Sequence, residues 1–169
     1  MKEGLVLHTD RLSLRPPRVE DAAYFLAIMN TPDWLANIGD RGIHDLDAAV
    51  QYLRAKGIAH WEKHGFGPFM MVLKGAILPF GTVSLSVRDF QEEVDIGFSI
   101  LPDYYRQGYA YEASTAVQAW AHRQGIQPLC GYCLPSNQAS IGLLTKLGMK
   151  FVKEFRIADD PDLLHLYSE

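Results

Sequence analysis

Between residues 93 and 134 the apolar period switches from two to about 3.6 and back, and that switch restricts the possible folds more than any other feature of the chain. "EVDIGFSIL" (Glu93–Leu101) alternates as a strand. In the segment after it, Ala110, Ala113, Ser114, Val117, Trp120 and Ala121 form one helical stripe, small at its start and large at its end. Glu112, Thr115 and His122 take the opposite face. "PLCGYCL" (Pro128–Leu134) reads as a strand again. Strand, helix, strand at this spacing is a parallel crossover unit, so at least part of the sheet is parallel.

The flanking segments complete a mixed architecture. "RLSLRP" (Arg11–Pro16) alternates as a strand that its proline ends. Val19–Asn30 carries a helical apolar stripe, and Thr31–Asp45 reads as an ordered loop broken by Pro32, Gly39 and Gly42. Asp45 or Asp47 caps a second helix that runs toward Trp61. Gly67–Lys74 and Phe80–Arg88 form a hairpin. Ser136–Gly148 is a helix closed by its glycine, and "MKFVKEFRI" and "LLHLYS" finish as strands. The order β-α-α-β-β-β-α-β-α-β-β predicts a mixed α/β sheet with helices on its faces.

Composition excludes several function classes. A 169-residue chain that is 48% hydrophobic and 21% charged fits one globular domain, and no apolar run reaches the roughly 20 residues of a membrane span. The N-terminal apolar stretch is too short for a signal peptide, so the expected compartment is cytoplasmic with no membrane partner. A net charge of −4 argues against nucleic acid as a partner. The basic group Lys146, Lys150 and Lys153 reads as a solvated helix end and strand. Cys130 and Cys133 alternate to opposite faces of a strand, unlike a redox dithiol opening a helix. His60 and His64 lie four apart on a helix, without an obvious third ligand, and no metal is expected.

Asp103–Ala110 raises a specific chemical question. Gly108 removes the side chain where the backbone bends into the helix, and no strong cap precedes the first turn. The amides from Gln107 to Tyr111 then have no partner inside the helix. Converging amides with the positive end of a helix behind them suit an anion.

"RQGYA" after the strand "DIGFSILP" resembles the pyrophosphate loop of the GNAT superfamily of N-acetyltransferases, Gln/Arg-x-x-Gly-x-Gly/Ala. Gln107 to Ala110 meet the last four positions, and Tyr105 departs from the first. "GYAYEA", "NQASIGLLTKLGM" and "NIGDRGI" are similar to the RimJ/RimL-like branch, whose members acetylate N-terminal amines of ribosomal proteins among other acceptors. The resemblance covers nearly the whole chain. It implies a single GNAT domain over 1–169, with a mostly antiparallel mixed sheet of about six or seven strands, a splayed parallel pair, and helices on both faces.

The same resemblance implies acetyl-CoA as co-substrate and a primary amine that attacks the thioester directly. Tyr105, Arg106, Gln107, Gly108, Tyr109, Ala110 and Tyr111 would take the pyrophosphate. Phe98, Ser99 and Ile100 would offer a free strand edge to the pantetheine arm. Asn137 and Ser140 would reach the arm and the thiol, and Lys146 a phosphate. The family's tyrosine proton donor would fall near Leu143 or Leu144, which leaves Ser140 as the candidate acid and Asp95 as the candidate base. Trp34, Ile38, Asp40 and Arg41 would wall an acceptor site. The expected acceptor is a peptide or protein N-terminal α-amine, on a monomer or homodimer. The alternatives are a lysine side chain, a small amine (a polyamine or an antibiotic) or a non-catalytic acyl-CoA sensor.

Overall fold

The computed structural model describes residues 4–158 and 161–169. Eight strands form one continuous sheet: β1 (Leu7–His8), β2 (Leu12–Arg15), β3 (Pro68–Leu73), β4 (Pro79–Arg88), β5 (Gln91–Ile100), β6 (Leu129–Cys133), β7 (Lys150–Phe155) and β8 (Leu164–Ser168), in the order β1-β2-β3-β4-β5-β6-β8-β7. Every neighbouring pair is antiparallel except β5–β6. The expected sheet of six or seven strands thus gains one, because the two-residue β1 is too short to show alternation.

The helices are α1 (Ala22–Met29), α2 (Pro32–Asn37), α3 (Leu46–Tyr52), α4 (Ala59–His64), α5 (Tyr109–Arg123) and α6 (Gln138–Lys146). The expected loop after residue 31 in fact holds α2. Thr31 accepts a hydrogen bond from the Trp34 amide and Pro32 supplies a preset φ at the first helical position. Asp45 caps α3 through the Ala48 amide, and a π-helical stretch at Leu53–Ile58 carries that helix without interruption into α4.

Alternation along β4 and β5 divides the protein into two layers. Val83, Leu85 and Ile96 are buried with Ala113, Val117 and Trp120 of α5 in the main core. Leu144 of α6 joins them, so α5 and α6 cover that face. The other face carries α1, packed with Met70, Leu53 and Ala49 in a second core. Burial of these apolar side chains, at about 1.5–3 kcal/mol each, is the main term holding both layers to the sheet.

The β5–β6 ladder is short. Val94 pairs with Leu129 and Asp95 with Cys130, and pairing stops there, although β5 runs on to Ile100. Beyond Cys130, β6 is paired to β8 on its far side. Two strands that begin side by side and then part leave a wedge along the part of β5 that runs beyond the pairing to Ile100.

Candidate active site

The turn after β5 ends in two left-handed residues, Arg106 at φ 59° and Gly108 at φ 80°. Gly108 is the N-cap of α5 and supplies no side-chain cap. The first bond of the helix is donated by the Glu112 amide to the Gly108 carbonyl at 3.0 Å, so the amides of Tyr109, Ala110 and Tyr111 come ahead of it. Three aromatic rings support the turn from below. Phe80 stacks on Tyr104 with centroids 4.3 Å apart and meets Tyr109 edge-on at 5.1 Å. The amides of Tyr109, Ala110 and Tyr111, without backbone partners among the described residues, lie at the positive end of a 15-residue helix that follows β5 in the chain.

The α1 face of the wedge is polar in strict register. Thr82 lies opposite Ser99, Ser84 opposite Gly97 and Ser86 opposite Asp95. The Tyr24 hydroxyl, carried by α1, bonds Ser99 Oγ at 3.0 Å, and Ser99 Oγ bonds Thr82 Oγ1 at 2.8 Å. Burial pushes the Tyr24 phenol up to about 12, so it stays protonated and serves as a donor. Asp95 is 4% exposed and receives both Arg88 Nε at 3.1 Å and Arg88 Nη2 at 2.9 Å on its Oδ2. Burial raises the Asp95 carboxyl above its ordinary value, and the Arg88 charge pulls the other way. The Arg88 guanidinium also lies over the Tyr132 ring of β6, 5.7 Å from its centroid.

The sequence-predicted residues divide between these surroundings. Ser99 faces the polar row, whereas Phe98 and Ile100 pack toward the main core. Asn137 caps α6, its Oδ1 accepting from the Ser140 amide at 3.1 Å. Ser140 is half-buried in the first turn of α6, on the α5 face, while Asp95 belongs to the α1 face. Lys146 Nζ stands over the Tyr111 ring at 4.0 Å, which brings the end of α6 against the start of α5. Tyr105, 38% exposed, has burial and the neighbouring Asp33 carboxylate pushing its phenol up to about 12.

The predicted acceptor wall is only partly assembled. Trp34 packs on the second core with its indole N–H buried and without a hydrogen-bond partner. Ile38 is 43% exposed. Asp40 is engaged by its own turn, accepting from the Gly42 amide at 2.7 Å, and it faces His44 at 3.3 Å. Arg41 is exposed, and its positive charge favours the ionised forms of Tyr52 and Tyr132. A concavity of about 510 Å³ lined by Phe66, Glu92, Glu93 and Pro128 lies at the other end of β5, away from the turn and the wedge.

Cys130 and Cys133 are free and buried on β6, and burial lifts their thiols to about 12 and about 11. The His60 and His64 rings lie 4.5 Å apart, and no group of three potential metal ligands occurs among the described residues. Sequence reasoning overlooked Tyr24, Thr82, Arg88 and Tyr132. The alternation "TVSLSVR" (Thr82–Arg88) does carry a signal for the polar face, because every second residue is polar.

Residues 11–150 match the family model for the acetyltransferase (GNAT) domain, and the chain belongs to that family of N-acetyltransferases. It is 25% identical over 148 residues to the uncharacterized N-acetyltransferase YoaA of Bacillus subtilis (strain 168), covering 86% of this chain and 82% of that one. It superimposes with a TM-score of 0.82 on RimL, the ribosomal L7/L12 α-N-protein acetyltransferase in complex with coenzyme A, at 15% identity over 98% of this chain and 97% of the other. The ribosomal-protein-S5-alanine acetyltransferase of Vibrio fischeri gives a TM-score of 0.77 at 20% identity, over 98% and 96%. These likenesses show that the chain shares the fold of those enzymes.

Proposed function

We propose that the chain is one acetyltransferase domain that moves the acetyl group of acetyl-CoA to an N-terminal α-amine of a peptide or protein. The observation that carries the reading is the row of free amides at Arg106–Tyr111 beside the unpaired edge of β5. It fits a long ligand with an anionic middle and an amide-bearing arm. The turn would hold the pyrophosphate, Phe98–Ile100 would pair with the arm, and Asn137 and Lys146 would border it. Acetyl-CoA would supply an acyl group already activated as a thioester.

The residues of the α1 face do the rest. Ser99, held by Tyr24 and Thr82, keeps the β5 edge in place. Positioning of this kind supplies much of the rate in a direct transfer. Asp95 is the carboxylate this face offers as proton acceptor, with its Oδ1 outside the Arg88 pair and its basicity raised by burial. Ser140, in the first turn of α6, is the hydroxyl that would donate a proton to the departing thiolate. Trp34, Ile38 and Arg41 border the acceptor, and Asp40 adds negative charge at the rim.

An α-amine suits a site whose base is modest. It titrates near 8 against about 10.4 for lysine, so neutralising it at pH 7 costs roughly 1 kcal/mol rather than about 4–5. The named acceptors of the RimL and Vibrio fischeri neighbours are of this kind and support the same reading. The experiment compares peptides with free and with blocked N-termini, each holding one internal lysine. Acetylation should follow the free terminus, and equal rates on the blocked peptide would remove the α-amine reading. Asp95→Asn should slow the reaction more at pH 7 than at pH 9, where the amine needs less help; a uniform loss would deny Asp95 the base role.

A further inference from the structure

We propose that Arg11 and Glu112 act as a positioning clamp for the amide-rich turn, so that the chain's grip on the diphosphate of CoA is set by a pair of residues outside the turn itself. The inference rests on the CoA reading above.

Glu112 gathers four bonds. Its Oε1 accepts from Thr9 Oγ1 at 2.5 Å and from the Arg11 amide at 2.9 Å, and its Oε2 accepts from Arg11 Nε and Nη2, each at 2.6 Å. The remaining arm of the guanidinium, Nη1, donates to the Gln107 carbonyl at 3.0 Å. The guanidinium also lies 4.3 Å from the centroid of the Tyr109 ring. One arginine therefore ties the β1–β2 connection to both the turn and the first turn of α5.

The Gln107 carbonyl is the one that matters to an anion. It lies between the two left-handed residues, Arg106 and Gly108, where a peptide plane turns over most easily. The Gln107 carbonyl and the Gly108 N–H belong to the same planar trans peptide and point in opposite directions. By holding the carbonyl, Arg11 keeps the Gly108 N–H aimed away from itself. A flipped plane would present an oxygen to a phosphate in place of a hydrogen.

Charge adds a second role. Glu112 sits in the first turn of α5, where a carboxylate favours the helix when the turn is empty and opposes an incoming anion when it is not. The two charge-assisted bonds from Arg11 to Glu112 Oε2 offset that opposition.

Three measurements test the clamp. Arg11→Gln should weaken CoA binding, read by calorimetry, about tenfold or more, as expected for a lost charge-assisted bond. With a free-N-terminus peptide as acceptor, the same variant should lose kcat/KM to a similar degree with acetyl-CoA, yet stay within about twofold of wild type with S-acetylpantetheine, which carries no phosphate to hold. Glu112→Gln separates geometry from charge. It removes a negative charge next to the anion site but releases Arg11, so weaker CoA binding supports the clamp and tighter binding overturns it. Equal losses with both acyl donors would also overturn it, by marking Arg11 as general scaffold, and if Arg11→Gln fails to fold the Glu112→Gln result decides. Wild-type protein that does not bind CoA would instead remove the CoA reading, and the clamp with it.

Discussion

Glu112 illustrates how one side chain in this protein answers to several causes. Burial alone would raise its carboxyl, but the Thr9 hydroxyl, the Arg11 amide and the Arg11 guanidinium together outweigh burial and hold it below the ordinary glutamate value of 4.5. A carboxyl lowered in the folded state contributes stability that is complete above its unfolded value and is lost as pH falls through the folded one. Thermal melts of the wild type should therefore decline below about pH 5, and Glu112→Gln should flatten part of that decline. An unchanged acid limb in the variant would show that the bonds are too solvent-screened to count. None of this was legible in the sequence. Arg11 and Glu112 stand 101 positions apart, and neither periodicity nor a short motif carries information about such a pair. The Gly108 turn was legible, because its function lies in backbone that a local pattern encodes. Asp40 shows a different limit, since the sequence offers Arg41 as its neighbour and the fold pairs it with His44 and the Gly42 amide.

At the scale of elements, the wedge depends on how closely α6 approaches β6. A Cβ added at Gly131 would stand 2.5 Å from Leu144 Cδ2 and 3.2 Å from the Ile96 carbonyl oxygen. Leu144 is 1% exposed and has nowhere to retreat. Gly131→Ala should therefore cost about 1–3 kcal/mol in denaturant unfolding, the usual range for overpacking. A neutral result would mean that α6 shifts as a body. The start of α5 makes the complementary prediction. Gly108→Val places a β-branched residue at φ 80°, so it should abolish the gain in melting temperature caused by CoA while the protein remains folded. An undiminished CoA shift in that variant would move the anion site elsewhere. Period reading located the long elements well, since each buries a continuous face. It failed on α2, where the glycines after residue 37 suggested a loop and the "TP" start of a short helix was overlooked.

For the whole molecule, a ligand seated on the Arg106–Tyr111 turn and the β5 edge would touch elements from both halves of the sheet, and its binding should stabilise all of them together. Acetyl-CoA at about 100 times its dissociation constant should add roughly 2.7 kcal/mol, which for a chain of this size raises Tm by about 5–10 °C. A melt unmoved by millimolar acetyl-CoA or CoA would contradict the placement of the cleft. The strand order has a further consequence that concerns synthesis. β6 borders the wedge, and its second neighbour is β8, residues 164–168, with β7 beyond. β6 and β7 are both translated before β8 and do not touch each other in the sheet. While the nascent chain lacks residues 164–168, the far side of the sheet has no strand to join its parts. One wall of the cleft stays unsupported until those residues leave the ribosome.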